Sequence, residues 1–221
     1  MPSLADSATL DRMGRWEPNA RERLQEAAME LFEEHGYDRT TVGDIAARAG
    51  LAERTFFRYF TDKREVLFAR SEELEKGIVD VIAGAPQDAT PLDAVAAAFE
   101  AAGAELQGRG DVHLVRARHA LVMKHPEIRE RELIKLASLA TAVSEALRAR
   151  GVSEPAASLA AEAGIAVFKV GFELWISQKK PQELAAQIRA SMAALRALAA
   201  EGKAPAGSLS RKPMRRGGTL A

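Results

Sequence analysis

The chain has no cysteine, which excludes disulfides and thiolate-ligated metal sites. It also has no formal net charge, 31 Lys and Arg balancing 31 Asp and Glu. A zero sum does not advertise a nucleic-acid binder, so any such role must come from local clustering. No run approaches the ~20 uninterrupted apolar residues that a membrane span needs. The N-terminus MPSLADSATLDRMGRW has no apolar stretch after a basic start, unlike a secretory signal. These absences lead us to expect a cytoplasmic chain with no membrane partner. The motifs of catalysis are missing too. His35, His113, His119 and His125 show no H-E-x-x-H spacing, and neither G-x-S-x-G, a P-loop nor a dinucleotide fingerprint occurs. No enzyme activity, cofactor or metal is expected.

What is present is concentrated between Tyr37 and Leu67, YDRTTVGDIAARAGLAERTFFRYFTDKREVL. Val42, Ile45, Ala46 and Ala49 recur at i, i+3, i+4 and i+7, the apolar face of a short helix. Thr41 and Asp44 form a T-x-x-D variant of the capping box at its start. Gly50 supplies a turn whose positive φ is cheap only without a Cβ. A second helix, from about Ala52 to Tyr59, buries Phe56 and Phe60. It leaves Glu53, Arg54, Thr55, Arg58 and Tyr59 outward or at the edge. Asp62 and Glu65 repeat the capping pair before a third helix opens with Val66 and Leu67. A short helix presenting arginine, hydroxyl and aromatic groups on such a platform suits the major groove of DNA. Between Arg39 and Arg64, the cations Arg39, Arg48, Arg54, Arg58, Lys63 and Arg64 face only Asp44, Glu53 and Asp62, a modest positive patch that predicts salt-dependent binding.

Three linked elements carry a resemblance to a known family. They are F-x-x-x-G-Y at Phe32 to Tyr37, T-T-V-x-D-I-A-x-x-A-G at Thr40 to Gly50, and Y-F-x-x-K-x-x-L, here Tyr59 to Val66–Leu67, with its lysine at Lys63 and Val66 at the leucine position. At these residues the chain resembles the tetracycline-repressor (TetR) family of bacterial transcriptional regulators, over roughly its first third. The resemblance implies DNA contact by Thr41, Arg54, Thr55, Phe57, Arg58, Tyr59 and Lys63. Thr41 is open to phosphate contact, simple capping or both. Arg54 and Thr55 are expected at base edges, where arginine reads guanine and a threonine methyl meets thymine. Arg58, Tyr59 and Lys63 are expected to clamp phosphates. Two positions depart from the family pattern. Phe57 lacks the hydroxyl of the usual tyrosine, and Ala52 replaces a Ser or Thr cap, typically worth ~1 kcal/mol.

Helical patterning continues to the end of the chain. A first helix spans Arg21 to His35, with Leu24, Ala28, Leu31 and Phe32 inward. Further helices run from Lys63 to about Ala83, Pro91 to about Leu106, and Val112 to Lys124. Three more follow: Pro126 to Arg150, a Ser153-capped helix to about Lys179, and a last one from Pro181. The expected fold is all-α, about nine helices without a strand. Residues 1–16 form a disordered arm, 17–62 a helix-turn-helix DNA-binding domain, 63–201 an effector-binding and dimerisation domain, and 202–221 a disordered basic tail.

By the same resemblance, the last two helices supply a homodimer interface and the C-terminal domain an effector pocket. Ala156 to Leu174 is apolar over much of its circumference, so it must be covered on more than one side. Phe99, Leu114, Arg118, His119, Val122 and Met123, with Phe168, Phe172, Glu173 and Trp175, are the candidate pocket residues. Their mixture suits a small, largely apolar effector with one orienting polar contact. The stretch RHALVMKHPEIRERE, Arg118 to Glu132, resembles actinobacterial regulators including the mycofactocin-regulator kind. The expected function is a repressor that binds a pseudo-palindromic double-stranded operator as a homodimer. The alternative is a helical ligand sensor or adaptor whose N-terminal domain serves a protein partner.

Overall fold

A computed structural model of the protein describes residues 19–109, 112–178 and 183–201. The arm at 1–16, the tail at 202–221 and the helix start at Pro181 fall outside the described residues. Among those described, nine α-helices and no strand occur. They are α1 (Ala20–His35), α2 (Val42–Arg48), α3 (Glu53–Tyr59), α4 (Ser71–Ala83), α5 (Pro91–Arg109), α6 (Val112–Lys124), α7 (Pro126–Ala149), α8 (Ala156–Ser177) and α9 (Leu184–Glu201). None is long and apolar enough to cross a membrane. The all-α expectation holds.

Two cores organise these helices. The first gathers Leu24, Ala28, Leu31 and Phe32 of α1, Ile45 of α2 and Phe56 of α3. It continues through Val66, Leu67, Phe68 and Ala69, and takes in Val122 of α6 and Ile128 of α7. A domain edge at residue 62 therefore falls inside this core. The second joins α4, α5, α7, α8 and α9 around Ile82, Val95, Phe99, Val143, Leu147, Trp175 and Ile188. Fully burying one such side chain is worth about 1.5–3 kcal/mol. Backbones approach closely inside it. A Cβ on Gly164 would lie 2.5 Å from Val95 Cγ1 and 2.6 Å from Phe99 Cε2.

Two helix starts differ from the sequence reading. The segment after α3 does not continue straight into α4. A 3-10 turn at Glu65–Phe68 comes first, and α4 begins at Ser71. Its tighter winding places Val66, Leu67 and Phe68 together on the N-terminal core. Asp62 does cap this turn, accepting from the Arg64 and Glu65 amides at 2.7 and 3.4 Å. Glu65 does not return the bond; its carboxylate pairs with Arg131, and with Lys135 at 3.8 Å. At α8 the side-chain acceptor is Glu154, which takes the Ser158 amide at 3.3 Å, rather than Ser153.

Candidate nucleic-acid interface

The helix-turn-helix is assembled by short-range bonds. Thr41 Oγ accepts the Asp44 amide at 3.1 Å, and Asp44 Oδ2 accepts the Thr41 amide at 2.9 Å, completing the capping box. The Thr41 hydroxyl donates to the same carboxylate at 2.7 Å, which holds the Asp44 carboxyl below its usual range. Gly50, with φ of 66°, makes the turn into α3. Phe56 is fully buried and Phe60 is 3% exposed, so α3 is pinned by one face. Glu53, Arg54, Phe57 and Arg58 point to solvent, Phe57 with 54% of its surface exposed. Thr55 and Tyr59 are half-buried at the edges. Arg58 donates to Tyr59 Oη at 3.1 Å and lies 5.0 Å from the Tyr59 ring centroid.

The cations of this region are not equivalent. Arg48 is spent on α1, donating to Glu30 at 3.0 Å and to Glu34 at 3.0 and 2.7 Å. Arg64 is held by Asp62 at 2.8 Å. Lys63, expected as a phosphate clamp, donates to the carbonyls of Tyr37 at 2.7 Å and Thr40 at 3.1 Å. Its Nζ also sits 4.2 Å from the Tyr37 ring centroid. Two of its three protons are thus engaged within the fold, and the lysine staples the loop before α2 to the end of α3. Sequence counting registers these charges but not their partners, which lie up to 26 positions away.

The candidate effector residues separate in space. Phe99, Phe168, Phe172 and Trp175 form an aromatic chain with successive centroids 5.8, 6.2 and 5.9 Å apart. His119 meets Phe172 edge-on at 5.5 Å. Val122, Met123 and Arg118 do not join this cluster. Val122 belongs to the N-terminal core, and Met123 is 55% exposed. Arg118 donates to Leu67 O at 2.8 Å, pairs with Glu132 at 3.2 Å and covers the Phe68 ring at 5.0 Å. Neighbouring turns of α6 face different cores, so 3.6-residue periodicity alone could not assign them. Clefts of about 370 Å³ around Arg23, Glu26 and Arg48, and about 310 Å³ around Asp62, Glu65 and Arg131, lie away from the aromatics.

Comparison with known proteins agrees with this geometry. Residues 24–69 match the family model described as bacterial regulatory proteins, tetR family. The HTH-type transcriptional regulator TcmR of Streptomyces glaucescens is 36% identical over 81 residues, 37% of this chain and 36% of its own length. MftR of Mycobacterium tuberculosis, named for mycofactocin biosynthesis, is 40% identical over 55 residues, 25% of this chain and 28% of its own. The chain thus spans about a third of the length of these curated relatives. SmeT of Stenotrophomonas maltophilia, solved as a triclosan complex, shares the fold with a TM-score of 0.56 and 21% identity, covering 89% of this chain and 99% of SmeT. Residues 24–69, which carry the buried Phe56 and Phe60 behind an outward arginine face, are therefore similar to the helix-turn-helix segment of the tetR family of bacterial regulatory proteins.

Proposed function

We propose that this protein is a transcriptional repressor that binds a pseudo-palindromic DNA operator as a homodimer and is released by a small, largely apolar effector. The observation that carries the reading is the solvent face of α3, where Arg54, Phe57 and Arg58 stand clear of the core. Arg54 and Thr55 read base edges; Thr41, Arg58, Tyr59 and, with its remaining proton, Lys63 contact phosphates. Dimerisation is supported by an uncovered apolar stripe on α8, with Leu159, Val170 and Leu174 exposed by 66, 51 and 50%. Ala166 lies on the same stripe, and Leu198 of α9 is 68% exposed. Covering it with a second copy removes apolar surface from water and sets two heads for successive major grooves.

The effector reading rests on the aromatic chain from Phe99 to Trp175 with His119 at its edge, an apolar cluster with one polar handle. SmeT, which shares the fold, was solved as a triclosan complex. Release follows if the effector favours one spacing of the two heads, and its effect is bounded by its differential affinity for the two states. The test is a fluorescence-anisotropy titration of the full chain against DNA from its own upstream region, at two salt concentrations, with scrambled competitor. Saturable, salt-dependent binding that resists the competitor supports the reading. Failure to bind any duplex at low salt overturns it in favour of a protein adaptor.

A further inference from the structure

We propose that Asp38, His125 and Glu127 form a binding site for a first-row divalent cation of the Zn²⁺ class, joining the loop after α1 to the α6–α7 turn. His125 Nδ1 lies 3.8 Å from Asp38 Oδ1 and 3.8 Å from Glu127 Oε1. All three ligand atoms fall within 4.8 Å of one another. At 3.8 Å the imidazole hydrogen-bonds neither carboxylate. Its side chain is only 10% exposed, yet this nitrogen is aimed between two anionic oxygens. Ligand atoms about 2.0–2.2 Å from a tetrahedral ion stand ~3.4 Å apart, so small side-chain rotations close the set.

The three ligands divide the work by their mobility. The His125 ring is fixed, packed against Tyr37 with centroids 4.8 Å apart, while its amide donates to Leu121 O at 3.0 Å. Asp38 and Glu127 are 78 and 44% exposed and adapt to the ion. Water fills the remaining positions. One imidazole nitrogen with two carboxylates suits Zn²⁺ or Co²⁺ better than Mg²⁺ or Ca²⁺, which favour oxygen alone.

The site lies at the edge of the first core, where its α1 loop meets the part contributed by α6 and α7. Asp38 follows α1, in the half of the molecule that holds α3, whereas His125 and Glu127 sit where α6 turns into α7. A bound ion therefore cross-links the head to the C-terminal helices. The test is Co²⁺ titration of the full chain, read by visible d–d absorption and by Zn²⁺ displacement, for wild type, D38N, E127Q and the double variant. Expected is one ion per chain, with affinity at least about tenfold lower in each single variant. The unliganded melting temperature of D38N should be unchanged, since Asp38 is exposed. Equal Co²⁺ affinity in wild type and double variant, or no binding at millimolar Co²⁺, overturns the proposal. Neither readout involves DNA, so the result stands apart from the operator experiment.

Discussion

Lys63 holds Tyr37 twice, donating to its carbonyl at 2.7 Å while its ammonium lies 4.2 Å from the ring centroid of the same residue. Both contacts cross from the end of α3 to the loop after α1, and the bond to Thr40 O extends the staple towards α2. The fold thus uses this lysine to set the spacing between α2 and α3.

Replacing Lys63 with methionine removes these bonds and leaves two carbonyls to solvent. Hydrogen bonds to a charged donor contribute about 1.5–3 kcal/mol, and partial exposure discounts this to roughly 1–2 kcal/mol. For a chain of this size the melting temperature should fall by about 2–8 °C. Operator affinity should fall with it. A variant that melts like wild type would show that the staple contributes nothing to the head.

Arg54 and Arg48 make a paired test of the interface. Arg54→Ala removes an outward side chain of α3 and should weaken operator binding about tenfold or more, without changing the melt. Arg48 is engaged by Glu30 and Glu34, so Arg48→Ala should leave operator affinity nearly intact. Anisotropy titrations of both variants decide the matter. The reverse order of effects would assign the DNA face to α2.

Val170 and Leu174 test the dimer. Each is about half exposed on α8, so glutamate at either position costs the single chain little. At a two-fold interface the same charge meets its own copy and is buried. Light scattering of Val170→Glu and Leu174→Glu should give half the wild-type mass with unchanged far-UV helicity. A wild type that is already monomeric removes the interface from α8.

Tyr37 offers an alkaline signature. The chain has two tyrosines, Tyr37 and Tyr59, so a titration of wild type minus Tyr37→Phe isolates one phenol. Its ionisation should centre at about 12, raised chiefly by burial. The folded chain then keeps a proton that the unfolded chain releases near pH 10. Tyr37's contribution to stability is therefore fully present below pH 10 and declines as pH rises from 10 to 12. Denaturant midpoints over that window should fall more steeply in wild type than in Tyr37→Phe. Equal slopes would contradict the shift.

Much of the helix-turn-helix was legible because its determinants are local. The Thr41–Asp44 box, the Gly50 turn and the inward pair Phe56 and Phe60 lie within a few residues of what they organise. The pocket was less legible. Phe168, Phe172 and Trp175 sit four and three residues apart on α8 and form one run of ring contacts. Val122 and Met123 are adjacent on α6, yet one is buried in the N-terminal core and the other is exposed. Periodicity reports that a helix has faces, but not which neighbour each face meets.

The order of residues alone determined nine helices and no strand among the described residues, and the short α3 with its outward arginines. Each follows from capping chemistry, turn residues and apolar spacing that act over one or two helical turns. Tertiary structure alone decided which cations remain outward, because Arg48, Arg64 and Lys63 are distinguished only by their acceptors. It also brought Asp38 to His125 and extended the first core to Val122 and Ile128. Those outcomes depend on contacts between segments far apart in the chain. Such contacts arise when separate apolar faces pack together, and no local pattern encodes which faces will meet.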